Sequence, residues 1–219
     1  MGMSLLVFIT ASENNPFTRI NIGCRSKMKP GRTLMAKGCK PMRSNIVFTL
    51  TGTDRTGIVE DVTKMLFNLG GNVETSRMAR LGGEFAVLML VSIPIDKLPD
   101  LDRSIQVLMS QGFKVTTSPT GHGYAEAHAG WLPYKIQVFG ADHEGIIHEI
   151  AHTLSKQGVN IESMDTSTSP APNSGAPLFS LTALVAVPPR ISYHELKASL
   201  RDAADHAQVD IKLSSMSRK

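Results

Sequence analysis

The 219-residue chain predicts an α+β architecture made of two βαββαβ units, each a four-stranded antiparallel sheet with two helices on one face. Three observations carry this. The first is an internal repeat. Ile46 to Leu50, Asp54, Gly57, Ile58, Gly70, Asn72, Val73 and Glu74 recur 88 positions later as Tyr134 to Val138, Asp142, Gly145, Ile146, Gly158, Asn160, Ile161 and Glu162. After a six-residue insertion the offset becomes 94, and Phe85 to Pro94 matches Phe179 to Pro188. The second is a change of apolar spacing, from every second residue to every third or fourth and back, twice in each copy. The third is a partition of charge. Residues 1–43 hold eight of the 23 Lys and Arg and one of the 19 acids, so the overall +4 resolves into a +7 leader and a −3 body.

In the first unit, expected over residues 44–117, Ile46, Phe48 and Leu50 alternate as a half-buried strand. The chain turns through Thr51-Gly-Thr-Asp-Arg-Thr-Gly57, after which Ile58, Val59, Val62, Met65, Leu66 and Leu69 recur at helical spacing. Gly70-Gly71 stops that helix. A second strand, about Asn72 to Ala79, meets a third, Glu84 to Ile93, across the hairpin signal Leu81-Gly82-Gly83. Leu101, Ile105 and Leu108 mark the second helix, Gly112 ends it, and Phe113 to Thr116 is the last strand.

The second unit, expected over residues 133–213 with a short tail at 214–219, follows the same order. Ile146, Ile147, Ile150 and Leu154 give its first helix an apolar face, and Ser192 with Glu195 forms a capping box ahead of Leu196 and Leu200. Its second hairpin runs through Pro170, Pro172, Asn173, Gly175 and Pro177, which reads as a mobile surface loop. Residues 118–132, rich in Gly, Ala and His, suit a linker. Phe85 to Val91 and Leu178 to Val185 are apolar on nearly both faces, so a sister domain or a second subunit is expected to cover the far side of each sheet.

The leader, 1–43, is rich in Arg, Lys, Gly, Pro and hydroxyl residues and nearly free of acids. That composition fits an organelle transit peptide. A mis-assigned start with Met42 as the true first residue, or a disordered tail, would fit as well. Localisation is accordingly organellar if the leader is a transit peptide and cytoplasmic otherwise. Both cysteines, Cys24 and Cys39, lie in it, so the body has no thiol chemistry and no disulfide. No run approaches the ~18 apolar residues of a membrane helix.

The turn Gly-Thr-Asp54-Arg55-Thr-Gly57-Ile58-Val59, the Gly-Gly-Asn72-Val73-Glu74 step and their counterparts in the second unit resemble ACT domains, amino-acid-sensing regulatory modules of ferredoxin-like fold. Ser76 to Val91 and Asn173 to Phe179 further resemble the glycine cleavage system transcriptional repressor family, which consists of tandem ACT domains. The resemblance covers residues 44 to about 213. It implies a regulator that binds a small amino acid, glycine foremost, acts on a protein partner and self-associates, with no catalysis and no cofactor. The ACT turn usually reads Asp-Arg-Pro-Gly; here Thr56 and Glu144 replace the proline and His143 replaces the second arginine.

A helix that starts on glycine leaves backbone N–H groups free at the positive end of its dipole, a seat for a carboxylate. Asp54 and Asp142 could accept from an ammonium group, and Asn72 and Asn160 offer donor and acceptor together. By resemblance the site lies between two domains. The candidate binding residues are therefore Asp54, Gly57, Ile58, Asn72 and Val73 with Asp142, Gly145, Ile146, Asn160 and Ile161. Against this, an Asp before a helix is often only a cap and an Asn beside glycine only a turn residue.

His148-Glu149-Ile150-Ala151-His152 spells the zincin motif. The repeat maps its histidines onto Glu60 and Lys64, on the polar face of the sister helix, which argues against protease chemistry. No nucleophile elbow or phosphate-binding lysine loop occurs. Asp100 and Asp102 sit at a helix start, where they suit the dipole. The acidic body, with Trp131 and three Tyr, is a poor footprint for nucleic acid.

Overall fold

The computed structural model describes residues 42–120, 128–172 and 174–216. Residues 1–41 of the leader, and with them its expected role as an address, lie outside the described residues, as do 121–127 of the Gly- and His-rich linker, Asn173 and 217–219.

Two four-stranded antiparallel sheets are present, each with two helices, in the α+β arrangement the repeat predicts. In the first, β1 (Arg43–Thr53) is followed by α1 (Ile58–Asn68), β2 (Asn72–Leu81), β3 (Glu84–Pro94), a 3-10 turn (Ile95–Lys97), α2 (Leu98–Ser110) and β4 (Lys114–Pro119). The second has β5 (Leu132–Ala141), α3 (Ile146–Lys156), β6 (Asn160–Pro170), β7 (Pro177–Val187), α4 (Tyr193–His206) and β8 (Val209–Ser215). The strand orders, β2-β3-β1-β4 and β6-β7-β5-β8, are the same, so β2 and β6 are edge strands.

Each unit has its own core. Ile46, Phe48 and Leu50 point from β1 onto Ile58, Val62 and Leu66 of α1 and Leu101, Ile105 and Leu108 of α2. Ile136, Val138, Ile146, Ile150, Leu154, Leu196 and Leu200 repeat the arrangement. Ile147, placed by periodicity on the buried side of α3, is exposed, because the core takes only the arc of Ile146, Ile150 and Leu154. On the far face of the first sheet Leu88 is 48% exposed opposite Thr49 and Arg77. In the second, Thr182 occupies that far face between Gln137 and Asp165.

The helix ends follow their signals. Gly71 N–H donates to Leu66 O and Gly70 N–H to Phe67 O, and Val159 and Gly158 make the same pair of bonds to Leu154 and Ser155. Ser192 Oγ accepts from Glu195 N–H while the Glu195 carboxylate accepts from Ser192 N–H. The sequence marks the 170–177 hairpin as irregular, yet Pro170 and Pro177 pair as ladder residues and Ala171 N–H donates to Ala176 O at 2.8 Å. Both edge strands carry a bulge at one step, between Val73 and Thr75 and between Ile161 and Ser163.

Candidate functional site

The turn between β1 and α1 is shaped by Gly57, whose φ of 91° suits glycine, and Gly145 repeats it at 92°. Each glycine is the N-cap of its helix, and no side chain caps either one. Asp61 N–H and Glu149 N–H close the first helical bonds onto Gly57 O and Gly145 O. The N–H groups of Ile58, Val59 and Glu60, and of Ile146, Ile147 and His148, precede those bonds and point along the helix axis. A Cβ on Gly145 would meet nothing within 4 Å, so the approach to that helix end is open.

Asp54 and Asp142 are not helix caps. Their backbone N–H groups donate to Gly83 O at 2.9 Å and Pro177 O at 3.0 Å, which ties each turn to the neighbouring hairpin. Their carboxylates also meet that hairpin: Asp54 lies 3.7 Å from Arg80 Nε, and Asp142 accepts from Thr168 Oγ1 at 3.3 Å. Arg80 and Thr168 stand 88 positions apart. The repeat offset alone could have identified them as partners of the two aspartates.

The residue after each aspartate reaches the far end of the second helix. Arg55 donates to Asp61 at 2.7 Å and to Gln111 Oε1 at 3.1 Å, and its guanidinium lies 5.3 Å from the centre of the Phe113 ring. In the second unit His143 Nε2 lies 2.7 Å from Ala207 O and Nδ1 2.9 Å from Glu144 O. Those two carbonyls, Glu144 first, raise the imidazole above the usual histidine value, and the Asp142 carboxylate adds to the effect.

Asn72 and Val73 open β2 and are exposed, whereas Asn160 and Ile161 open β6 and are half-buried. Asn72 pairs with Ser92, which pairs with Asn45 near the start of β1; Thr53, beside the turn, pairs with Glu84 at the other end of the sheet. The 11-residue helix α1 spans that length, about 16 Å at 1.5 Å per residue. Neither unit therefore brings its own turn and its own Asn step together. Val73 borders an open groove of about 490 Å³ with Glu60, Lys64, Phe67 and Gly71.

His148 and His152 stack on the exposed side of α3, rings parallel and 5.8 Å apart. Glu149 turns away toward His206 of α4, at 3.8 Å. Among the described residues no three His, Cys, Asp or Glu side chains converge on a metal-sized site, and no helix is long and apolar enough to cross a membrane. Asp100 binds Arg103 and Lys97, and the Arg103 contact above all holds its carboxyl below the usual range.

The chain is similar to several known proteins. A family model for the ACT domain matches residues 44–115. The glycine cleavage system transcriptional repressor of Escherichia coli K12 is 28% identical over 137 residues, 60% of this chain and 68% of that protein. A crystal structure of an unknown protein from Galdieria sulphuraria is 33% identical, with a TM-score of 0.72 over 80% of this chain and all of the other. A structure provisionally described as a glycine cleavage system transcriptional repressor shares the fold, at a TM-score of 0.59 and 20% identity over 81% of this chain and 99% of the other.

Proposed function

Because the chain belongs to the tandem ACT-domain proteins and is similar to the glycine cleavage system transcriptional repressor, we propose that it is a non-enzymatic regulator. It binds a small amino acid, glycine foremost, where one ACT domain's turn meets another's Asn step, and the bound ligand alters its hold on a protein partner. The observation that carries this reading is the pair of uncapped helix N-termini opened by Gly57 and Gly145. Each leaves N–H donors without intrahelical acceptors at the positive end of a helix that begins a few residues after Asp54 or Asp142. A zwitterion has the complementary charges, its carboxylate for the helix end and its ammonium for the aspartate. The separation of turn and Asn step within each unit favours a composite site drawing on two domains.

Ligand binding regulates only if the two states of the protein bind it differently. Calorimetric titration with glycine, serine and other amino acids tests the reading. The expected result is saturable heat for at least one small amino acid together with a raised Tm. Absence of both across the set at millimolar concentration would overturn it.

A second reading, a ligand-independent association module, is favoured by Phe67, 78% exposed on α1, and Leu81, 75% exposed at the end of edge strand β2. It predicts the same oligomer by sedimentation with and without amino acid. A change of association state on adding ligand excludes it.

A further inference from the structure

Arg55 and His143 hold one position of the repeat and reach one place, the end of the second helix, with different chemistry. Arginine stays charged at every accessible pH. Histidine does not, and its surroundings discriminate between its two states. Both ring nitrogens of His143 face carbonyl oxygens, which only accept. A neutral imidazole carries one N–H and satisfies one of them; the imidazolium satisfies both. Ala207 is moreover the C-cap of α4, so its carbonyl belongs to the negative end of that helix dipole.

We propose that His143 is a proton-operated latch: as imidazolium it donates to Glu144 O and Ala207 O at once, fixing the ring between the β5–α3 turn and the C-terminal end of α4, and as neutral imidazole it keeps only one of these hydrogen bonds, which weakens the tie. The charged groups on the elements that meet there are Asp142 and Glu144 in the turn, Asp205 and His206 in the last turn of α4, and Asp210 and Lys212 in β8. Four of the six are carboxylates, His206 is engaged by Glu149, and Lys212 pairs across the ladder with Gln137. Among these groups it is the Asp142 carboxylate that acts on the ring in favour of the cation. The two carbonyl contacts shift the imidazole upward in the same sense. A group whose folded-state pKa is raised contributes stability that is fully present below its unfolded value, about 6.5, and is lost as pH rises through the folded value. The latch is therefore tightest in mild acid and loosens toward alkaline pH, while its Arg55 counterpart holds throughout.

The test uses the full chain, free of amino acids, and so stands apart from the ligand reading. Ring carbon shifts of His143 are followed by NMR against pH, and Tm is measured for wild type, H143Q and H143R from pH 5 to 9. The expected ring midpoint lies above about 6.5. Wild type should exceed H143Q by about 1–3 °C in Tm below that midpoint, with the gap closing above it, and H143R should keep its advantage at all pH. A midpoint at or below about 6.5, or a gap that is absent or independent of pH, overturns the proposal. Should H143Q not fold, the ring midpoint decides alone.

Discussion

Gln208 adopts a φ of 48° at the position where the first unit places Gly112 at 94°. The equivalence follows from packing: Gly52 lies under Phe113 and Gly140 under Val209, the residues next in each chain. Both positions end a helix, α2 with the Gly112 N–H on Met109 O and α4 with the Gln208 N–H on Asp205 O. A Cβ in the left-handed region costs about 1–2 kcal/mol, which glycine avoids at some entropic cost to the unfolded chain. Gln208→Gly should therefore stabilise the protein by about 0.5–1 kcal/mol, read as a higher urea midpoint with unchanged slope.

Arg55 joins the β1–α1 turn to Asp61, Gln111 and Phe113 through one planar group. The ion pair is half exposed on both sides and on its own contributes little. The guanidinium over the ring adds a contact that a lysine cannot reproduce. Arg55→Ala is expected to lower unfolding stability by about 1 kcal/mol, and Arg55→Lys to recover less than half of it. Full recovery in the lysine variant, by chemical denaturation, would reduce the contact to its charge.

The capping box of α4 predicts a pH dependence of opposite sign to that of His143. Glu195 is held below the usual carboxylate range, first by the Ser192 backbone N–H and then by the Ser192 hydroxyl. Its contribution is complete above the unfolded value of about 4.3 and fades as pH falls through the folded value. The Tm gap between wild type and Glu195→Gln should thus narrow below about pH 4. Ser192→Ala removes the acceptor for the Glu195 N–H and should cost about 1 kcal/mol at neutral pH.

For the proposed ligand, Asp54→Asn should weaken amino-acid binding about tenfold, the order expected for losing one charged hydrogen bond. It should leave Tm within about 2 °C, since the Arg80 contact it removes is exposed. Gly145→Ala has room for its methyl group but not the backbone freedom for φ 92°, so it should destabilise by about 1–2 kcal/mol. Titration calorimetry on Asp54→Asn with the amino acid that gives the largest wild-type heat separates binding from folding. An unchanged affinity would remove Asp54 from the site.

Much of the architecture was legible because the repeat and the 2-to-3.6 switch of apolar spacing are local signals. Gly70, Gly112 and the Ser192–Glu195 box set helix ends within a few residues of where the sequence places them. Ile147 misled, since four apolar residues in a short helix define a wider arc than the core uses. At the site, the glycine turns could be read from sequence, but the partners of their side chains could not. Arg55 with Gln111 spans 56 residues and His143 with Ala207 spans 64, separations that no periodicity encodes. Pairing the two copies column by column would have exposed Arg80 and Thr168, because the same slot facing the same aspartate is filled twice.

The bulges at Glu74 and Glu162 fall at one step of the repeat. An extra residue in an edge strand reverses which side chains face inward from that point on. Both units have it, between Val73 and Thr75 and between Ile161 and Ser163. The irregular strand thus belongs to the frame that the two halves share. Arg55 against His143, and Gly112 against Gln208, are where the halves differ. The frame is common; how each half holds the end of its second helix is its own.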